Sequence, residues 1–208
     1  MEVGCRFMSM MILTKIINKI RNLTNKFRFK SFGSNSLILS PNCLICNKKN
    51  IVIGKNTLIG KFARIEPVIN YSGIKYEPLI EIGSNVCINQ NFHCTCAKSI
   101  LIGNGTSITA NCGVFDIIHP YEDVSINPRF AKIEVEPVII GENCLIGMNS
   151  VILPGTKLGN HCVIGANSVL KGIYPDYCVI VGSPAYIIKR YNPQTNCWEK
   201  TSPDGSFI

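Results

Sequence analysis

The sequence predicts an all-β fold, a parallel β-helix in which every coil has three short, flat faces. The first observation is a period of six residues between 140 and 170, which matches neither the period of a helix nor the alternation of a half-buried strand. The second is that each repeat pairs a large aliphatic residue with a small residue four places later. In stacked coils the aliphatic side chain points to the axis and the small one fits the inner corner. The aliphatic positions are Ile140, Ile146, Ile152, Leu158, Ile164 and Leu170, and the small ones are Cys144, Ser150, Thr156, Cys162 and Ser168.

The same phase recurs upstream in three further pairs of repeats. One repeat cannot bury its own aliphatic side chain, whereas stacked coils bury a continuous core. The pairs begin at Ile53 and Ile59, at Ile82 and Ile88, and at Ile102 and Ile108.

The N-terminal segment, residues 1–35, contains a predicted amphipathic helix over residues 11–28. Two roles stay open for this helix: a cap over the open end of the coil, or a basic anchor on a membrane surface. Its apolar face is formed by Leu13, Ile16, Ile20, Leu23 and Phe27, and its polar face by Lys15, Lys19, Asn22 and Lys26.

The predicted β-helix domain covers residues 36–185, with regular coils from about Ile51, and residues 186–208 form a C-terminal tail. The repeat is interrupted at residues 67–78 and again at about 116–137. We expect both interruptions to protrude as loops. Long loops in compact repeat proteins are usually functional, so the second one is where we expect the chemistry.

Composition narrows the class of protein. Hydrophobic residues make up 46% and charged residues 16% of the chain, which is enough apolar material for a core. No apolar run reaches the roughly 18–20 residues of a membrane span, and no signal peptide is evident, so we expect a cytoplasmic protein. The net charge of +8 is concentrated near both ends without an aromatic-interleaved stripe, which argues against nucleic-acid binding.

The 11 cysteines form no even-numbered disulfide framework. Three of them, Cys112, Cys144 and Cys162, occupy the small corner position, where cysteine serves as a small buried residue. Cys43 and Cys46 have the spacing of a metal knuckle, but no second pair follows them, so we expect no metal site.

His119 lies where the second loop leaves the coil, in the sequence FDIIHP. An imidazole can accept a proton at neutral pH, and a hydroxyl group that attacks a carbonyl needs such a base. From the residues alone, a catalytic base and a loop histidine with a structural hydrogen bond are both consistent with this position.

The motif I-G-x-x-x-x-I-x-x-N followed by His-Pro is present as Ile102-Gly103, Ile108, Asn111 and His119-Pro120. Over residues 82–120 the chain therefore resembles the galactoside and maltose O-acetyltransferases, and over roughly 50–190 the wider superfamily of hexapeptide-repeat acyltransferases. The resemblance implies a left-handed β-helix and a homotrimer with active sites between subunits. It also implies that His119 is the catalytic base and that Asn89 binds substrate.

The sequence departs from that family at two positions. Ala97 replaces an acidic residue, and Leu145 replaces a tryptophan beside the sugar. The basic N-terminal helix and the compact length are more similar to the capsule and lipopolysaccharide O-acetyltransferases of the same superfamily. The resemblance therefore implies a saccharide acceptor on a cell-surface polysaccharide precursor.

Acetyl-CoA is the acyl donor that the resemblance implies. Gly147 and Ala166 match positions where the backbone passes close to the pantetheine arm, although small residues also suit coil corners. The G-S-P-A ending at Ala185 with its basic partners resembles the family's G-x-P-A motif. Lys171, Lys189 and Arg190 would then meet the coenzyme's phosphates, and the alternative for each is a solvated surface charge.

Three acidic residues are further candidates for the site. Asp116 lies three residues before His119, where a carboxylate can orient an imidazole or, equally, cap the turn of the loop. Glu134 and Glu136 are weaker candidates from the same loop.

Three other functions compete with sugar O-acetylation. One is N-acetylation of a nucleotide amino-sugar, which needs the same base, and another is a scaffold without enzymatic activity. A carbonic anhydrase with the same repeat needs a three-histidine zinc site, and His93, His119 and His161 show no such pattern.

Overall fold

The computed structural model describes residue 20, residues 23–39 and residues 42–208. Within the predicted N-terminal helix, residues 23–28 are helical, and residues 11–19 and 21–22 lie outside the described part. Leu23 and Phe27 are exposed, so the described apolar face of the helix does not cap the coil. Phe29 is buried at that end instead, with its ring centroid 5.2 Å from that of Phe32.

The chain then winds repeatedly through three sheets, which we call A, B and C. Sheet A contains Ser31–Phe32, Ile51–Ile53, Leu79–Ile82, Ser99–Ile102, Val138–Ile140, Lys157–Leu158 and Ile173–Tyr174. Sheet B contains Leu37–Ile38, Leu58–Ile59, Cys87–Ile88, Ser107–Ile108, Leu145–Ile146, Val163–Ile164, Cys178–Gly182, Ala185–Asn192 and Cys197–Lys200. Sheet C contains Leu44–Ile45, Arg64–Pro67, His93–Cys96, Gly113–Phe115, Val151–Ile152 and Val169–Leu170.

Each strand pairs in parallel with the equivalent strand one coil later, so equivalent repeat positions stack. In sheet A, for example, Ile140 pairs with Ile102 on one side and with Leu158 on the other. The result is the predicted left-handed parallel β-helix. Parallel pairing already begins at Ser31, earlier than the regular repeats near Ile51 indicate.

The core of the prism is the column of aliphatic side chains that the six-residue period predicts. All six from Ile140 to Leu170 are at most 2% exposed. Burying one such side chain contributes about 1.5–3 kcal/mol, so stability is distributed along the axis.

The small corner residues are fully buried and also donate hydrogen bonds along the axis. The Thr106 hydroxyl donates to the carbonyl of Gly141 at 2.8 Å, and the Cys144 thiol donates to that of Gly159 at 3.1 Å. Serine, threonine and cysteine replace one another here because each is both small and a donor. The sequence pattern predicted only the small size.

A ladder of asparagine side chains follows the corner between sheets B and C. The Asn91 amide donates to Asn111 at 2.8 Å, Asn111 to Asn149 at 3.0 Å, and Asn149 to Asn167 at 3.0 Å. All four have positive φ, a conformation that asparagine tolerates better than most residues.

Two hairpins interrupt the coil at the corner between sheets C and A. The first, which we call hairpin 1, pairs Asn70–Tyr71 with Ile74–Lys75. The second, hairpin 2, pairs Ile117–Ile118 with Glu134–Val135 and carries the exposed residues 121–130 at its end.

The last strands of sheet B are antiparallel and close the C-terminal end of the coil, with Ile187 buried against the core. The 3₁₀ helix Lys48–Asn50 and a bridge between Thr201 and Phe207 complete the described structure. Within that part of the chain, no helix is both long enough and apolar enough to cross a membrane.

Candidate active site

Asp116 is fully buried where hairpin 2 leaves sheet C. Among the described residues, no contact joins its carboxylate to His119, so the structure does not show Asp116 orienting the imidazole. The predicted alternative was a cap on the turn of the loop, but the structure shows Asp116 capping a turn of the preceding coil instead. The carboxylate accepts backbone N–H bonds from Ala97 at 2.7 Å, Lys98 at 2.8 Å and Ser99 at 2.8 Å.

His119 follows the first strand of hairpin 2 directly, and its side chain is exposed. Asp116 anchors the base of this hairpin, because its backbone carbonyl accepts the N–H of Glu136 at 2.9 Å. Within the described residues, no hydrogen bond reaches the imidazole of His119. Both ring nitrogens are therefore open to a substrate.

Tyr71 of hairpin 1 is the residue that contacts this imidazole. The two ring centroids lie 5.6 Å apart with an interplanar angle of 64°, an edge-to-face arrangement. The Tyr71 hydroxyl also donates to the backbone carbonyl of Arg129 in hairpin 2. One side chain thus connects the two hairpins and restricts the His119 ring, a role that the sequence pattern did not reveal.

Asn89 is exposed at the corner between sheets B and C, whereas His119 lies beyond the opposite edge of sheet C. Strands of this sheet extend over three or four residues at this level, at about 3.3 Å per residue, so about 10 Å or more separates the two positions within one chain.

Gly147 has a packing reason to be glycine. A Cβ atom there would lie 2.6 Å from the backbone nitrogen of Ala166 and 2.6 Å from the carbonyl oxygen of Ile164, in the next coil. Close stacking of the coils therefore requires this glycine. Ala166 itself is exposed at the same corner, where a larger side chain would extend to the outside.

The three predicted phosphate-binding cations have different environments. Lys171 and Lys189 are exposed at the C-terminal coils. The guanidinium of Arg190 donates to the carbonyl of Gly205 at 3.1 Å and lies 5.5 Å from the centroid of the Phe207 ring. Arg190 therefore holds the C-terminal residues against the coil, while the two lysines stay available to an anionic ligand.

Glu134 and Glu136 are both exposed. Glu134 pairs with Ile118 within hairpin 2, and the carboxylate of Glu136 packs beside Gly155, at the next coil. Among the described residues neither carboxylate contacts His119, so neither orients the imidazole in the way that a triad requires.

A second histidine, His93, lies on the outer face of sheet C beside Glu66, Thr95 and Phe115. From the sequence, His93 was a candidate only for a metal ligand. Side chains alternate between the two faces of a strand, so the sequence could have indicated that these residues point outward. Whether they contact one another depends on the register between coils, which the sequence does not show.

The described residues contain no group of three or more histidine, cysteine or acidic side chains that could hold a metal ion. Cys94 and Cys96 are buried. Burial, followed by the charge of Asp116, raises the pKa of both thiols, so neither is a reactive nucleophile.

In a comparison with known protein families, residues 137–171 match a family described as "Hexapeptide repeat of succinyl-transferase". Among curated proteins, the one named "Putative lipopolysaccharide biosynthesis O-acetyl transferase WbbJ", of Escherichia coli (strain K12), is 34% identical over 188 residues, which cover 87% of this chain and 92% of WbbJ. The galactoside O-acetyltransferase of the same organism is 30% identical over 135 residues, covering 64% of each chain.

Among solved structures, AntD, an N-acyltransferase from Bacillus cereus, has a similar fold. Its complex with dTDP and 3-hydroxybutyryl-CoA superimposes with a TM-score of 0.70, at 24% identity over 84% of this chain and 90% of AntD.

Proposed function

Because the chain belongs to the hexapeptide-repeat acyltransferases, we propose that it transfers an acetyl group from acetyl-CoA to a sugar hydroxyl on a cell-surface polysaccharide precursor. The observation that carries this proposal is the exposed His119 imidazole, which is free of hydrogen bonds within the described residues and restricted by Tyr71. The similarity to WbbJ along nearly its whole length supports an acceptor of this class.

In the proposed reaction, His119 accepts the proton of the sugar hydroxyl while the hydroxyl oxygen attacks the thioester carbonyl. The new C–O bond forms, the C–S bond breaks, and the proton passes from the imidazole to the departing thiolate of coenzyme A. An exposed imidazole without an internal hydrogen bond suits this exchange, because neither nitrogen must first leave a partner. No covalent enzyme intermediate is required.

The donor is acetyl-CoA, whose phosphates we place near the exposed ammonium groups of Lys171 and Lys189. The Tyr174 hydroxyl lies 3.4 Å from the carbonyl oxygen of Lys171 and 3.3 Å from that of Ala185, which brings the predicted G-S-P-A turn beside Lys171. Arg190 is the less available of the three cations, since Nη1 of its guanidinium already donates to the carbonyl of Gly205.

The active form that we propose is a homotrimer in which neighbouring subunits complete each site. The positions of Asn89 and His119 at opposite edges of sheet C are consistent with an acceptor that is held between two subunits. Analytical ultracentrifugation checks the trimer, and a monomer with full activity would contradict it.

We further propose a cytoplasmic enzyme that contacts the inner face of the membrane. The exposed apolar side chains of Leu23 and Phe27, next to Lys26 and Arg28, support such a contact. Co-sedimentation with vesicles that contain anionic lipid tests it. Equal recovery with neutral vesicles would argue against an electrostatic anchor.

N-acylation of an amino-sugar is the second candidate, and the similarity of the fold to the N-acyltransferase AntD favours it. Both reactions need one base, so the site geometry alone does not separate them. A panel of hydroxyl and amine acceptors, followed by release of free coenzyme A thiol, distinguishes the two.

The central test is His119→Ala, with His161→Asn as a matched control. We expect His119→Ala to lower kcat by about 10²–10⁴-fold while the affinity for coenzyme A, measured by calorimetry, stays within twofold. His161 is exposed on another corner with a φ of 55°, where asparagine recurs in this fold, so its replacement should change neither quantity. Turnover by His119→Ala close to that of the unmodified enzyme would refute the assignment.

A further inference from the structure

Beside the two hairpins, the outer face of sheet C carries polar and aromatic side chains, whereas valines occupy it in the later coils. The strands Arg64–Pro67, His93–Cys96 and Gly113–Phe115 lie side by side there, and hairpins 1 and 2 follow the first and third of them. In the next two strands, the positions equivalent to Gly113 hold Val151 and Val169. The outward side chains beside the hairpins, which we call the sheet C cluster, are Arg64, Glu66, His93, Thr95 and Phe115.

Two neighbouring side chains contact the Nε2 atom of His93 and hold its imidazole in place. Nε2 lies 3.1 Å from the Thr95 hydroxyl and 3.7 Å from a carboxylate oxygen of Glu66. Because a carboxylate can only accept, we assign the proton of the neutral imidazole to Nε2. Nδ1 is then a bare acceptor, and within the described residues no hydrogen bond reaches it. About 40% of the side chain is exposed.

Phe115 places an apolar ring next to this acceptor. Its ring centroid lies 5.2 Å from that of His93, with an interplanar angle of 83°. The ring occupies the space above Gly113, where a Cβ atom would lie 2.6 Å from the ring carbon Cε2. The absence of a side chain at position 113 therefore allows the aromatic ring to lie against His93.

The sheet C cluster is rich in hydrogen-bonding groups but nearly neutral. The guanidinium of Arg64 binds both oxygens of Glu66, which balances the two charges and leaves further N–H donors of Arg64 without a partner among the described residues. A neutral acceptor nitrogen, unused donors and an aromatic ring suit an uncharged ring with several hydroxyl groups better than a phosphate.

We propose that the sheet C cluster is an acceptor subsite, in which Nδ1 of His93 accepts a hydrogen bond from a hydroxyl of an uncharged hexopyranose. This proposal rests on the proposed function, and it places the modified hydroxyl at His119 and a hydroxyl on the opposite side of the same sugar at His93. Glu66 is the next-to-last residue of the strand that precedes hairpin 1. Phe115 lies four residues before His119 in the sequence. His93 thereby positions the acceptor, while His119 remains the base.

The test measures KM and kcat with the best accepted of three probes: methyl β-D-galactopyranoside, methyl α-D-glucopyranoside and methyl α-D-mannopyranoside. We expect His93→Ala to raise the acceptor KM about tenfold, with kcat and the coenzyme A affinity within twofold, because one hydrogen bond to bound acceptor is lost. His93→Asn, which retains a polar atom near the Nδ1 position, should restore part of the affinity. His161→Asn should have no effect.

Deoxy analogues of the accepted glycoside distinguish direct contact from a structural role. One analogue should bind the unmodified enzyme about tenfold more weakly, yet lose nothing further with His93→Ala, since the partner hydroxyl is already absent. An unchanged KM for every His93 variant would overturn the subsite. So would a loss of kcat at saturating acceptor as large as that of His119→Ala, which would place His93 at the reacting centre.

Two further variants cover the case in which His93→Ala does not fold. Thr95→Val removes the hydroxyl beside Nε2 without changing side-chain shape, and Gly113→Ala displaces the Phe115 ring. Each should raise KM about threefold, and no rise in either would also overturn the proposal.

A binding experiment separates this proposal from the proposed function. If the unmodified enzyme acetylates none of the three glycosides, saturation-transfer NMR with the same compounds still reports on the subsite. A signal from the unmodified protein that disappears in His93→Ala supports the subsite. The assignment of a sugar hydroxyl as the acetyl acceptor would then be wrong. The absence of any signal from the unmodified protein overturns the subsite itself.

Discussion

The coils between residues 138 and 181 and the corner that carries the two hairpins are built in opposite ways. In the coils every structural role is repeated: an aliphatic side chain faces the axis, and a small donor fills each corner. At the corner that carries the hairpins, each structural or proposed catalytic role depends on a single residue that other coils do not repeat. Repetition distributes stability over many equivalent contacts, whereas chemistry depends on single side chains where the repeat is interrupted.

Asp116 and His119 show this difference within three residues. Asp116 still belongs to the coil: its side chain is fully buried, and its carboxylate accepts a hydrogen bond from the backbone of the preceding coil. His119 has already left the coil and is exposed. Substitutions at the two positions should therefore affect stability and activity separately.

The largest effect on stability is expected from Asp116→Ala. This change leaves one buried and two part-buried backbone N–H groups without their acceptor, and we expect the free energy of unfolding to fall by about 3–6 kcal/mol, measured by denaturant titration. Asp123→Ala is the control, because its carboxylate is exposed and, within the described residues, bonds only to Ser125, and a change within about 0.5 kcal/mol is expected. A similarly small loss for Asp116→Ala would show that water satisfies these amides.

A smaller effect, on activity alone, is expected from the ring that connects the hairpins. Tyr71→Ala removes the contact with His119 and should lower kcat about three- to tenfold, the loss expected for one aromatic pair. Tyr71→Phe keeps the ring and loses only the bond to Arg129, so it should retain most of the activity. Equal activity of both variants and the unmodified enzyme would show that the His119 ring needs no such restraint.

The smallest effect is expected from the exposed cations. Lys171→Gln should weaken coenzyme A binding about twofold to fivefold, a change typical of one solvent-screened ion contact, measured by calorimetry at low salt. Lys61→Gln, at a distant exposed corner, is the control.

Arg190→Gln should instead lower the melting temperature, since it releases Gly205 and Phe207. The opposite pattern would reassign the phosphate contact to Arg190.

The prediction of the coil from the six-residue period is confirmed, because every repeat imposes the same requirement and each repeat adds to the signal. The described part of the N-terminal helix is the exception, since its amphipathic pattern could not specify which surface its apolar face meets. Phe29, outside that pattern, covers the end of the core instead. For the site, the positions of His119 and Asn89 were predicted through resemblance, and their roles stay predictions.

What the sequence determined by itself is the coil: its period, its inward aliphatic column, its small corners and the two places where the repeat breaks. These features depend on spacing along the chain, which is visible without coordinates. The tertiary structure decided that Asp116 faces inward, that Tyr71 lies against His119, and that His93 shares a face with Glu66 and Phe115. These contacts join residues about 20–50 positions apart through the register between coils, and a register shift of one residue would turn each side chain to the opposite face.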